Sequence, residues 1–143
     1  MAKKRTVGRG AKVSVSVLND TTYIDVGAVT NVTPPPQEKA VIDKTAMEDT
    51  VAVGDAGIEQ LSEFVFESFH DPSDATDDAI DALYGSNADA GWRIDAKYSS
   101  TQVWRKAFTG IVTKIVPTGY DGNGRLTRNV TVVRTGAITD TIV

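Results

Sequence analysis

Cysteine is absent from the 143 residues, so this chain can build no disulfide, no zinc-thiolate centre and no thiol nucleophile. Histidine is nearly absent. His70 stands alone beside Asp71, which is poor material for a nucleophile activated by a positioned base, and it reads as a polar residue at a strand end. No apolar run approaches the roughly 20 residues that cross a bilayer, so membrane insertion is not expected. The opening Met-Ala-Lys-Lys-Arg is followed by no apolar signal core, and the expectation is a protein made and kept in a cytosol-like compartment. Metal and cofactor motifs fail on inspection. Asp71-Pro-Ser-Asp-Ala-Thr and Asp121-Gly-Asn-Gly-Arg each miss required positions of a calcium loop, and Gly8-Arg9-Gly10 completes no phosphate-binding pattern. No metal, no cofactor and no catalytic residue are therefore assigned, and the chain reads as a non-enzyme.

What is present suits a folded domain. Apolar residues make up 41% and charged residues 24%, an ordinary globular balance that excludes wholesale disorder, and the length fits one domain over residues 1–143. The net charge of -4 is unevenly spread. Residues 1–12 carry five bases (Lys3, Lys4, Arg5, Arg9, Lys12) and no acid, whereas residues 38–95 carry fifteen acids against Lys39, Lys44 and Arg93. Residues 96–143 are basic again, with seven bases against Asp121 and Asp140. An acidic middle between basic ends suits copies that dock head to tail, because opposite potentials steer encounter and set register. The arm over residues 1–11, with Lys3, Lys4, Arg5 and Arg9, is accordingly a candidate contact to a neighbouring subunit.

Strand patterns dominate. Val13, Val15 and Val17 alternate with Ser14 and Ser16, Asn19-Asp20 offers a turn, and residues 22–32 are β-branched and broken at Gly27, which predicts a hairpin with a bend. Pro34, Pro35 and Pro36 then stop pairing. Residues 33–57 read as a long, irregular, glycine-broken loop, too long to be idle in a small domain, with Val41, Ile42, Met47, Val51 and Val53 as candidate subunit-interface residues. The next strand, residues 58–69, places Phe64 and Phe66 on one face and Glu63, Val65 and Glu67 on the other. Asp71-Pro72-Ser73 opens the single helix, with Ala79, Ile80, Leu83 and Tyr84 on its apolar stripe, Gly85 at its end, and Asp74, Asp77, Asp78 and Asp81 on a solvated face. Three further strands, residues 91–98, 102–116 and 125–135, follow, the last two joined by a glycine-rich hairpin loop. The fold class is mainly β, a small sandwich or barrel with one flanking helix and a long loop.

Two function classes compete on this pattern. One is a self-assembling structural subunit. The other is a monomeric β-sandwich binding carbohydrate or peptide through Trp92, Trp104 and Tyr120, although large aromatics are more often core or interface anchors.

The order of elements resembles the tail tube, or major tail, proteins of siphophages. The matching stretches are the early hairpin, Val41-Ile-Asp-Lys-Thr-Ala-Met-Glu-Asp-Thr50, the strand-helix unit over residues 61–85, Val103-Trp-Arg-Lys-Ala-Phe-Thr-Gly-Ile-Val112 and Arg128-Asn-Val-Thr-Val-Val-Arg-Thr-Gly136. The triple proline and the basic start depart from the family pattern. The resemblance implies six copies closing into a ring and rings stacking into a tube, as in the similar type VI secretion tubes. It further implies other tail proteins as partners at the tube ends, DNA passing without specific binding, a place in the virion tail, and assembly in the host cytoplasm. A conduit for DNA should present few cations to the phosphates, which makes Glu63 and Glu67 candidates for the lumen wall.

Overall fold

In the computed structural model, residues 11–17, 22–27, 29–48, 50–97, 101–120 and 126–143 are described; the arm candidates Lys3, Lys4, Arg5 and Arg9 lie outside them. Among the described residues ten strands and one helix follow in chain order. They are β1 (Lys12–Ser16), β2 (Ile24–Val26), β3 (Val29–Thr33), β4 (Lys39–Asp43), β5 (Gly54–Glu59), β6 (Glu63–Phe69), α1 (Ala75–Ser86), β7 (Ala90–Lys97), β8 (Val103–Tyr120), β9 (Leu126–Arg134) and β10 (Thr139–Ile142). The main antiparallel sheet runs β2-β1-β7-β8-β9-β6-β3, with β10 paired to β8, while β4 and β5 form a separate hairpin. The protein is mainly β with one helix, as its alternating patterns predict.

The sheet folds over on itself, and the core lies inside the fold. Phe64 and Phe66 on β6 meet Trp92 on β7 at ring-centroid distances of 6.1 and 5.9 Å, although β8 and β9 separate those strands along the sheet. Phe108 adds an edge-on contact to Phe64 at 5.5 Å. Val13, Val15, Val130 and Val132 complete the two walls, and the predicted split of β6 into a phenylalanine face and a glutamate face is seen in its burial. These residues are β-branched or aromatic and repeat at every second position, which is what a pleated strand with one buried face requires.

The long strand β8 joins the two layers. Its first half pairs with β7 on one side, its second half with β9 on the other, and Gly110 stands at the changeover, opposite both Ala90 and Arg134. A Cβ at Gly110 would sit 2.5 Å from a Val132 methyl and 2.9 Å from the Val133 carbonyl oxygen. The backbones approach too closely there for any side chain. Gly110→Ala is therefore expected to cost about 1–3 kcal/mol, the usual penalty of overpacking, read as a lower urea midpoint at unchanged slope.

Helix α1 starts and stops as its sequence dictates. Asp74 caps it by accepting from the Thr76 amide at 3.1 Å, and Asn87, at φ 55, closes it with its amide bonded to the Leu83 carbonyl. Ile80 and Leu83 enter the core as expected, but Tyr84 stays exposed.

Four expectations need correction. The segment over residues 22–32 does not merely bend at Gly27; it divides into β2 and β3, which end up at opposite edges of the sheet path. Residues 33–57 are not an irregular loop, because β4 and β5 pair within and beyond them. Gly57 permits that pairing, since a Cβ there would lie 3.0 Å from the Ala40 carbonyl oxygen. The strand expected over residues 58–69 breaks at Gln60–Ser62, where the chain leaves the hairpin for the main sheet. Finally, the helix acids are not all solvated: Asp77 is buried.

Candidate assembly surface

The hairpin β4–β5 is built from residues that cannot form a core of their own. Cross-strand pairs Val41–Ala56 and Ile42–Asp55 set its register. Of the fourteen exposed large apolar residues among those described, seven fall between positions 41 and 61: Val41, Ile42, Met47, Val51, Val53, Ile58 and Leu61. An isolated two-stranded hairpin is marginal in water at best, and a concentration of exposed apolar side chains marks a surface that another molecule covers. All five apolar interface candidates read from the sequence sit here, and Ile58 and Leu61 join them. Those two were missed because they were assigned to the following core strand.

Polar contacts stiffen the hairpin where apolar ones do not. The Lys44 ammonium donates to Asp55 at 2.8 Å, and the Thr45 hydroxyl receives the Val53 amide at 2.9 Å. The hydrogen bond from Lys44 holds the Asp55 carboxyl below its ordinary value, and the bonds from Thr45 do the same for Asp43. A folded-state pKa below the unfolded one gives support that is full above the unfolded value of 3.8 and is lost as pH falls through the folded value. The hairpin is thus held in its shape at neutral pH.

Its root is clamped by Arg134. This guanidinium is 2% exposed, donates to the Gln60 carbonyl at 2.9 Å, the Ser62 hydroxyl at 3.1 Å and the Gly136 carbonyl at 3.1 Å, and lies 2.8 Å from the Glu59 carboxylate. The Glu59 contact is ionic rather than an aligned hydrogen bond, because that carboxylate oxygen accepts none. A planar fork with five donors suits a corner where several carbonyls converge. Arg128, six residues earlier on the same face of β9, does the equivalent for the helix, 2.7 Å from Asp81 and 3.6 Å from the buried Asp77 carboxylate. Asp77 in turn accepts the Asp71 amide at 2.8 Å and lies 3.8 Å from His70 Nδ1. Neither arginine was singled out for this from the sequence. The signal was there, because Arg128 and Arg134 share strand parity with Val130 and Val132 and so belong on the inward face.

The outward face of β6, β9 and the second half of β8 presents Glu63 and Glu67 together with Lys114 and Asn129 by register, while Thr131 beside Lys114 is buried. Glu63 is exposed, and Glu67 is half-buried and accepts the Thr30 hydroxyl at 2.9 Å. Arg128, on the opposite face of β9, is buried and unavailable to any such surface. Trp92 is likewise wholly buried, so the aromatic contact surface that a carbohydrate- or peptide-binding module would need loses one of its members. Trp104 is half-exposed under the Lys106 ammonium at 5.0 Å from the ring, and the side chain of Tyr120 lies outside the described residues.

No protein-family model and no curated protein sequence matches the chain. Solved structures do. A chain of the anti-feeding prophage baseplate, solved with six-fold symmetry, superposes with a TM-score of 0.76 at 11% identity, covering 100% of this chain and 97% of that one. A chain from the tail of the gene transfer agent particle, refined with C6 symmetry, gives 0.72 at 11% identity over 96% of this chain and 99% of that one. The SPP1 tail tube gives 0.65 at 8% identity over 96% and 79%. The chain has the fold found in these baseplate and tail structures.

Proposed function

We propose that this chain is a structural tail tube subunit, which closes into hexameric rings that stack into the conduit through which DNA leaves a phage particle. Its fold likeness over nearly its whole length to chains of tail and baseplate assemblies supports this reading, two of them solved with six-fold symmetry. The observation that carries it is the hairpin, an element with exposed apolar side chains held out from the core by Arg134, of a kind that is marginal in water without a covering partner. Ring closure also satisfies sheet edges, since β2 and β3 end the sheet path and the second half of β8 has a strand on one side only among the described residues. On this reading the chain is a structural protein rather than an enzyme. Its partners are copies of itself and other tail proteins at the tube ends, and its place is the virion tail after assembly in the host cytoplasm.

The outward face with Glu63 and Glu67 is our candidate for the lumen wall. Lysine and arginine would hold DNA by releasing counterions from its phosphates, each contact acting as a brake. Two carboxylates against one lysine on that face give a surface that repels weakly.

Negative-stain microscopy and sizing of the purified protein test the reading: rings or tubes are expected, whereas a uniform 15.3 kDa monomer at all concentrations would oppose it. The basic arm adds a charge-specific expectation. Neutralising Lys3, Lys4, Arg5 and Arg9 should weaken assembly most at low ionic strength, where screening is least. Equal light-scattering traces for both proteins in low salt would remove the arm from the interface.

A further inference from the structure

We propose that the tip of the hairpin of one copy seats in an apolar cleft between β3 and the β1–β7 pair of a second copy. The inference rests on the self-assembly reading above and names the surface that the hairpin meets. Helix α1 closes the core beside Arg128, but between β3 and β1–β7 the core is open. The opening is a cleft of about 420 Å³ walled mainly by Ala11, Val29, Val32, Pro34, Ile94 and Ala96, with the polar Thr30 and Asn31, and among the described residues no ionisable side chain lines it. That volume lies within the roughly 300–1,000 Å³ of sites that bury a bound group.

The occupant must be apolar, must protrude and must come from outside the chain that owns the cleft. Met47, Val51 and Val53 at the hairpin tip meet the first two conditions, being exposed at the far end of a paired stem. The third follows from exposure: Met47, Val51 and Val53 stay exposed within their own chain, so its hairpin tip does not occupy its own cleft. Charge supports the same pairing. With Asp55 paired to Lys44 and Glu59 to Arg134, the described residues of the hairpin keep Glu38, Asp43 and Glu48 against Lys39. Lys12 and Lys97, in contrast, stand exposed at the strand ends beside Ala11 and Ala96, on the opposite face of the sheet, and Glu67 is bonded to the lining Thr30. Of the other charges near that end of β7, Asp95 is already paired with Arg105 at 2.9 Å. The head-to-tail attraction that the charge blocks imply thereby acquires a place on the molecule.

The absence of cysteine makes the test clean. Val51→Cys and Ala96→Cys variants are mixed, oxidised and run on a non-reducing gel, with Val51→Cys plus Tyr84→Cys on the exposed face of α1 as the control. A disulfide needs Cβ atoms about 3.5–4.5 Å apart, so seated tips should give at least ~10-fold more covalent dimer than the control, given the effective concentration of a held contact. The double variant carrying both cysteines should give a ladder of covalent oligomers. Val32→Cys, on the facing wall, replaces Ala96→Cys if the latter loses native circular dichroism. Exchanging Lys12 and Lys97 for Glu should lower the dimer yield severalfold at low salt. Rings or tubes by microscopy with cross-linking no higher than the control would overturn the cleft while leaving self-assembly standing. Monomers without cross-links would overturn both.

Discussion

A protein in which residues 44–53 are replaced by a two-residue Asn-Gly turn is expected to fold as a monomer and to form no tubes. The replaced segment supplies Met47, Val51 and Val53, all exposed, and none of the buried core. Its removal leaves the β4–β5 ladder joined by the turn that two-residue hairpins prefer. The melting temperature should move by less than about 4 °C, since surface changes stay near ±0.5 kcal/mol and a domain of this size shifts roughly 2–8 °C per kcal/mol. Assembly, in contrast, should be abolished rather than weakened, because the apolar anchors at the centre of an interface carry most of its energy. Sedimentation velocity and electron microscopy on the same sample read both quantities. Normal tubes from the shortened protein would make the hairpin tip an ornament.

The second large effect falls on stability alone. Arg128→Ala is expected to destabilise the fold by about 3–5 kcal/mol, the cost of leaving one member of a buried ion pair without its partner. Arg128 and Asp77 are 4% and 2% exposed, so solvent cannot replace the lost contact. A melting temperature lower by ~6 °C or more follows, because each kcal/mol is worth roughly 2–8 °C. The mechanism makes a further demand. Replacing the pair together, as Arg128→Met with Asp77→Leu, removes both charges and should recover most of the loss, since apolar substitutes for a buried pair are often neutral or stabilising. If the single variant loses less than ~1 kcal/mol, the clamp between β9 and α1 contributes no more than an exposed ion pair would.

What the sequence discloses about this molecule follows from which interactions are periodic. Strands β1, β6, β7 and β9 and helix α1 are legible because each buries one face, and burying one face writes a period of 2 or 3.6 into the residue order. The hairpin β4–β5 has no buried face, so Val41 and Ile42 are adjacent, both exposed, and the pattern looks like a loop. The division of residues 22–32 into strands at opposite sheet edges is equally silent, because both pieces are β-branched and only tertiary pairing separates them. Asp77 illustrates the converse. Near the start of a helix an acid is favourable without any partner, and nothing local distinguishes it from Asp78, which stays exposed; the difference is Arg128, 51 residues away. The apolar residues of the candidate surface were visible as residues without a periodic role, and that absence of a role is itself what sets them apart from the core.

Whether copies of this chain meet through the hairpin to build a tube is tested most directly by a cryo-electron microscopy map of the purified, assembled protein. The map should show six-fold rings in stacks, each β4–β5 hairpin lying against a neighbouring copy, with the Glu63 and Glu67 face of β6 turned to the lumen. An assembly in which the hairpins project into solvent, or a preparation that holds nothing larger than the monomer, would contradict it.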